Sequence, residues 1–284
     1  MTAKICVITG ANRGIGKEMA LELAKRKWCV IIVCRNNCQA KKVKEEIILK
    51  TENVNIHIVL ANLSSIKDII DATDQIRRLY SRIDLLVNNV GVFRSEYYIS
   101  QNGFEEQYAV NYFSVFALTH ELLALLNKSN DPRVINLGSN MHRLGMNPLP
   151  FRKKKKFYNG ISAYANSKLA ILLFTWQFAK KHQKISCYAF HPGTVKTEIG
   201  NKYSKGIFSY GWKFMSQFFI SPASSIRTGI YLATNDSLSG LSGNYFFKMK
   251  VVSPSNKARN KKLANKLWEE SSMELNRIKQ EIYV

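Results

Sequence analysis

Short, uniformly apolar runs alternate with longer amphipathic stretches along this 284-residue chain. Ile5-Cys6-Val7-Ile8 comes first and leads into an amphipathic stretch at 17–27. Later apolar runs predict strands at 29–34, 54–60, 83–88, 133–138, 185–190 and 245–247. Apolar residues at helical spacing predict helices at 38–50, 64–80, 104–127, 162–182 and 223–233, and a charged, exposed helix at 256–280. Short β-branched strands that are apolar on both faces belong to a parallel sheet covered on each side by helices. The pattern therefore predicts an α/β fold, a doubly wound parallel sheet of Rossmann type. No repeat, linker or low-complexity tract divides residues 1–284, so a single domain is expected. Ligands of such folds bind at the carboxyl ends of the strands.

The first strand runs into Thr9-Gly10-Ala11-Asn12-Arg13-Gly14-Ile15-Gly16. Gly10 permits a tight turn, and Gly14 and Gly16 let backbone and helix N-terminus approach a pyrophosphate. The spacing is G-x-x-x-G-x-G, distinct from both G-x-G-x-x-G and the phosphate loop that ends in Lys. Taken alone, this turn would also serve as a plain strand-to-helix connection. In dinucleotide folds an acidic residue about 20 positions on binds a ribose hydroxyl, whereas arginine accommodates a 2′-phosphate. Here the second strand ends in Val33-Cys34-Arg35 with no carboxylate nearby, and Arg13 adds a second guanidinium. Two guanidiniums suit a phosphate dianion, so NADP(H) is expected over NAD(H). The bland alternative is an ordinary surface arginine at a strand end.

Tyr164 and Lys168, in Tyr-Ala-Asn-Ser-Lys, lie four apart and so share one helix face. A lysine ammonium about 4 Å from the phenol, at an effective dielectric of about 20, favours the phenolate by roughly 4 kcal/mol. That would lower its pKa by about three and bring Tyr164 near pH 7, where it could transfer protons both ways. In isolation such a pair also arises as a solvated helix surface. Its setting gives it weight, because other polar positions converge on the same crevice. Strands end in Asn88-Asn89-Val90-Gly91, in Gly138-Ser139 and in His191-Pro192-Gly193-Thr194-Val195-Lys196-Thr197, and Asn111 stands amid apolar neighbours.

With these motifs in this order the chain resembles the short-chain dehydrogenase/reductase family over nearly its whole length. Cys34-Arg35-Asn36, the long insert between Ser139 and Tyr164, and Ser242-Gly243-Asn244-Tyr245-Phe246 running on to Leu267-Trp268-Glu269-Glu270 are similar to the retinol dehydrogenase-like branch. The resemblance implies Tyr164 as general acid and base, Ser139 as donor to the substrate oxygen, and Lys168 as the group that tunes Tyr164 and holds the nicotinamide ribose. It implies Asn111 as the anchor of a water in a proton relay. Cofactor contacts are implied for Gly10, Asn12, Arg13, Gly14, Ile15, Gly16, Arg35, Asn62, Leu63, Asn89, Gly91, Tyr164, Lys168, Pro192, Gly193, Val195 and Thr197. Three positions depart from the family pattern. Asn62 replaces an Asp that contacts adenine but keeps an acceptor oxygen. Val90 replaces an alanine, and Gly138 a serine whose loss should matter little.

Composition narrows the setting. No run of about 18 apolar residues suggests a membrane span, and no signal peptide precedes the first strand. Five cysteines without regular spacing read as reduced thiols, so a cytoplasmic setting is expected. The histidines lack metal spacing, and no metal is expected. A net charge of +22 raises nucleic acid or an anionic membrane as partners. The cations are spread over the predicted helices apart from Arg152-Lys153-Lys154-Lys155-Lys156, which argues against nucleic acid and leaves a peripheral membrane contact open. The aromatic segment at 203–220 falls within the family's substrate lid, about 199–220. It suggests a lipophilic carbonyl or alcohol of retinoid, steroid or fatty-aldehyde class, unless it is simply a helix packing on the core. By resemblance a homodimer would form through helices 104–127 and 162–182. The alternative to an oxidoreductase is a cofactor-binding scaffold with little turnover on the same fold.

Overall fold

The computed structural model describes residues 3–149, 156, 158–193 and 225–283. Strands β1 (Ile5–Thr9), β2 (Cys29–Cys34), β3 (Ile56–Leu60), β4 (Leu85–Asn88), β5 (Arg133–Leu137), β6 (Ser186–Phe190) and β7 (Tyr245–Phe247) are parallel. They lie in the order β3-β2-β1-β4-β5-β6-β7 in one eight-stranded sheet, which places the first strand in its interior. The two-residue β8 (Lys250–Val251), which the sequence pattern did not predict, closes the edge antiparallel to β7. Every residue of β2 and β4 is buried, as expected for strands covered on both faces. The edge strand β3 is partly exposed, and His57 lies there against Tyr80.

The pleat sends alternate side chains into two cores. Cys6 and Ile8 of β1, with Val30 and Ile32 of β2, meet α1 (Gly14–Lys25), α2 (Asn37–Thr51) and α8 (Arg227–Thr234). Val7, Ile31 and Val33 meet α3 (Ile66–Leu79), α5 (Ser114–Glu121), α7 (Gly160–Lys181) and α9 (Lys261–Tyr283). The stretch expected as one helix at 104–127 is broken into α4 (Glu106–Tyr108), a π-helical turn Ala109–Phe113, α5 and α6 (Leu123–Leu126). The π turn carries Asn111, and all five of its residues are buried.

The C-terminal helix differs from its expected exposed character. It starts later, after a 3₁₀ turn at Asn256–Arg259, and buries Ala264, Leu267, Ser271, Leu275 and Ile278 along one side. This stripe at helical spacing is obscured in the sequence by the charges around it. Trp268 completes an aromatic cluster, with ring centroids 5.3 Å from Phe116 and 6.0 Å from Phe174. The Tyr112 hydroxyl meets Ser271 Oγ at 2.8 Å. Burial alone would raise the Glu121 carboxyl, but Lys279 from α9 and Arg77 from α3 outweigh it and hold it below its ordinary value. Helix α9 thus lies on the long helices through which pairing of two copies is expected. No helix among the described residues is long and apolar enough to cross a membrane.

Docking of α9 is tested by contrast along its length. Leu267→Ala, at a fully buried position, should cost about 2–4 kcal/mol in urea denaturation. Met273→Ala, 71% exposed on the same helix, should stay within about 0.5 kcal/mol of the parent.

Candidate active site

The chain reverses direction across the sheet between β1 and β4, and the cleft opens at their carboxyl ends. The glycine turn forms one wall. Gly10 has φ +65°, a conformation that side chains rarely adopt. Gly16 lies where a Cβ would be 2.5 Å from Asn89 Nδ2 and 2.8 Å from the Gly10 carbonyl. The helix N-terminus can therefore sit against the strand only because that atom is missing. Asn89, the residue after β4, bolts the turn in place: its Nδ2 donates to the Thr9 carbonyl at 2.8 Å, and its N–H donates to Thr9 Oγ1 at 2.9 Å.

The cleft, about 440 Å³, gathers many of the positions singled out from sequence. Gly10, Asn12, Arg13, Gly14, Ile15, Arg35, Asn62, Leu63, Asn89 and Gly91 all line it. Gly16 lies behind the wall. Pro192 and Gly193 follow β6 and are not part of this lining, while Val195, Thr197, the expected lid and most of the basic run at 152–156 fall outside the described residues. The first turn of α1 carries no acidic residue, Arg13 is its N-cap, and no carboxylate stands at the end of β2. Free N–H groups at a helix start, two arginines and a glycine cradle fit a phosphorylated dinucleotide. Gln39 was not among the expected residues. Its Oε1 accepts from Asn12 Nδ2 at 2.7 Å across the lip of the cleft, and its N–H donates to the cap residue Asn36 at 2.9 Å. The capping spacing Asn36-x-x-Gln39 was the signal that could have found it.

Asn62 uses its carbonyl oxygen locally, accepting from Ser64 N–H at 3.2 Å and Ser64 Oγ at 2.9 Å. The acceptor expected for adenine is thus already occupied by a turn. Gly138 also has a structural reason. A Cβ there would lie 3.0 Å from Tyr245 Cε2, so the tyrosine ring fills the room that a serine would need.

Helix α7 delivers Tyr164 and Lys168 to the carboxyl end of β5. Asn159 caps it by accepting from Ser162 N–H at 2.9 Å. Lys168 is 2% exposed, and its Nζ donates to the Leu137 carbonyl at 2.8 Å. The same Nζ lies 5.7 Å from the centre of the Tyr164 ring. Asn111 ties α7 to the end of β4. It accepts from Val92 N–H at 2.7 Å, and its Nδ2 donates to the Val92 carbonyl at 2.9 Å and to Ser167 Oγ at 3.0 Å. Both of its amide hydrogens are used in holding protein to protein. Phe93 packs edge-on against Tyr164 at 5.8 Å.

The electrostatics correct the expectation for Tyr164. Burial pushes its phenol up to about 12, only partly offset by a hydrogen bond with Ser139. Burial likewise pulls Lys168 down to about 8. The Coulomb argument from spacing assumed an ammonium whose field reaches the phenol unopposed. Here loss of water is the leading cause for each group and moves both toward their neutral forms. At neutral pH the phenol keeps its proton and can donate it to a basic oxygen.

The short chain dehydrogenase family model matches residues 4–207. The chain is 38% identical to retinol dehydrogenase 12 of Mus musculus over 268 residues, covering 93% of this chain and 84% of that protein. It is 36% identical to retinol dehydrogenase 11 of Homo sapiens over 273 residues, covering 95% and 85%. This chain belongs to the short-chain dehydrogenase family, in its retinol dehydrogenase-like branch. Solved structures agree on the fold of this dehydrogenase. An uncharacterized protein from Mycobacterium Paratuberculosis superposes with a TM-score of 0.77 at 25% identity, covering 96% of this chain and 93% of that one. A short chain dehydrogenase from Escherichia coli CFT073, complexed with NADPH, gives 0.70 at 23% identity, covering 87% and 96%.

The buried Lys168 carries a stability cost that can be measured in the ligand-free dehydrogenase. Its folded pKa, about 8, lies below the ordinary 10.5, so between those values the unfolded chain binds more protons. The Lys168 contribution to stability should rise with pH across that window, while the buried cysteines, held above their ordinary value, contribute in the opposite direction. Lys168→Met should therefore be more stable than the parent at pH 7 by on the order of 1–3 kcal/mol, the unpaired Leu137 carbonyl offsetting part of the gain, and that difference should shrink by pH 10. Urea denaturation at pH 7 and pH 10 reads both effects.

Proposed function

We propose that this short-chain dehydrogenase moves a hydride between NADP(H) and a lipophilic carbonyl or alcohol of retinoid, steroid or fatty-aldehyde class. The observation that carries the reading is Tyr164, protonated at neutral pH, beside buried Lys168, whose Nζ binds the carbonyl of Leu137 in the lining of the cleft that holds Arg13 and Arg35. Bound NADPH would supply the hydride. Tyr164 gives its proton to the substrate oxygen, or takes one in the reverse direction. Ser139, on the strand end beside it, donates a hydrogen bond where negative charge develops on that oxygen. Lys168 holds the ribose and supports the phenolate left behind. Arg13 and Arg35 face the 2′-phosphate, and the remaining contacts along the glycine turn, Asn62, Leu63, Asn89, Gly91, Pro192, Gly193, Val195 and Thr197 follow the dinucleotide.

The substrate class rests on the retinol dehydrogenase names of the relatives, on the Phe93 ring beside Tyr164 and on the aromatic sequence at 203–220. The charge of +22 supports peripheral contact with an anionic membrane from the cytoplasmic side, by attraction to the headgroups.

Two measurements decide the main reading. Tyr164→Phe should abolish substrate-dependent NADPH oxidation across a panel of retinal and medium-chain aldehydes while NADPH still binds; wild-type turnover in that variant would exclude Tyr164 as the acid. Arg35→Asp should lower the ratio of kcat/KM for NADPH to that for NADH by about 10- to 100-fold, the loss of one charge-assisted contact. A ratio unchanged in that variant would remove Arg35 from the phosphate site.

A further inference from the structure

His142 is fully buried, three residues after Ser139, on the 3₁₀ turn Asn140–Leu144. Its two ring nitrogens face groups of fixed character. Nδ1 lies 2.7 Å from the Ser139 carbonyl, which can only accept, so Nδ1 carries the hydrogen. Nε2 lies 3.1 Å from the Ser255 backbone N–H, which can only donate, so Nε2 is bare. The partners therefore leave one species, the neutral Nδ1–H imidazole. A protonated ring would turn an N–H against the N–H of Ser255.

We infer that His142 is a positioning residue. As the neutral Nδ1–H tautomer it ties the Ser139 main chain to the segment that leads into α9, and so sets the Ser139 hydroxyl against Tyr164. This inference rests on the proposed role of Ser139.

The surroundings leave the turn little other freedom. The Tyr245 ring packs edge-on against His142 at 5.2 Å. Asn166 of α7 holds the far end of the turn, its Oδ1 accepting from Met146 N–H at 2.8 Å and Asn147 N–H at 3.1 Å. The Arg143 guanidinium donates to the Ser253 carbonyl at 2.8 Å, a second tie to the same C-terminal segment. The titratable and charged groups facing His142 are Arg143 on its own turn, His191 after β6 and Tyr245 on β7, with Tyr164 beyond Tyr245. None is a carboxylate that would favour an imidazolium. Burial, offset in part by the hydrogen bond to the Ser139 carbonyl and aided by Arg143, holds the ring below the ordinary histidine value. Acidification should then release Ser139 from Ser255 only below the ordinary histidine value.

The test uses the full chain with four variants. His142→Leu keeps bulk but loses both bonds, and should lower kcat on the order of 10- to 100-fold with the NADPH Kd unchanged. His142→Gln offers a donor and an acceptor together and should recover most of that loss. Ser255→Pro fits the native φ of −65° and deletes only the N–H that Nε2 accepts, apart from the Ser255 cap on the next turn. Ser255→Ala removes that cap alone. Ser255→Pro should lower kcat and raise the titration midpoint of His142, while Ser255→Ala should change neither. Nitrogen-15 NMR of the imidazole, independent of turnover, should show Nδ1–H in the wild type. An Nε2–H tautomer, a wild-type kcat in His142→Leu, or equal effects of Ser255→Pro and Ser255→Ala would overturn the inference. A wild-type protein that oxidises no NADPH on any substrate would instead overturn the proposed function, and the tautomer and midpoint would then decide the His142 tie alone.

Discussion

The site depends on one bond, that between the Lys168 ammonium and the Leu137 carbonyl. A buried ammonium is expensive, and a single neutral oxygen compensates it only in part. That is why its pKa falls to about 8 instead of staying near 10.5. The bond joins the last residue of β5 to the third turn of α7, the two elements that present Ser139 and Tyr164. Helix and strand end therefore cannot shift relative to one another without leaving a buried charge with no partner. A carboxylate in place of the carbonyl would have bound the lysine more tightly. It would also have competed with any ribose hydroxyl for the same hydrogens.

The supports around this bond are polar and local, whereas the supports around those are apolar and large. Asn111, in the π-helical turn, joins Val92 to Ser167 and so fixes the rotation of α7 relative to the end of β4. A π turn adds a residue to the helical repeat and lets a polar side chain point where α-helical phase would not place it. Behind it, Phe116, Phe174 and Trp268 stack α5, α7 and α9 into one block. Rigid apolar packing in the block lets a few hydrogen bonds in the cleft hold their geometry.

Patterns that repeat were legible in the sequence, and effects set by tertiary surroundings were not. The parallel strands and the Tyr164–Lys168 helix face rest on periodicity and the glycine turn on its spacing, and each lies within a few residues of its expected place. Element ends moved by a few residues, as in β3, which starts at Ile56 instead of 54. The apolar side of α9 was hidden because lysines and glutamates outnumber Leu267, Leu275 and Ile278 along that stretch. The π turn was hidden because nothing in Ala-Val-Asn-Tyr-Phe distinguishes a wide helical turn from an ordinary one. Asn62 kept the acceptor that substitution for aspartate promised, but Ser64, two residues on, uses it.

The largest departure was the protonation of Tyr164, and it alters how the cleft works. Spacing alone argued for a phenol poised near neutrality, able to lose its proton before any substrate arrives. In the folded protein both members of the pair are desolvated, the phenol rises to about 12 and the amine falls to about 8. Each group is thus displaced toward its neutral form by the same cause. A phenol held this way parts with its proton only when a stronger base, such as the oxygen of a carbonyl becoming an alkoxide, is placed beside it. Proton transfer is then coupled to charge developing on the substrate. The energy of burial keeps the tyrosine from ionising before that charge develops.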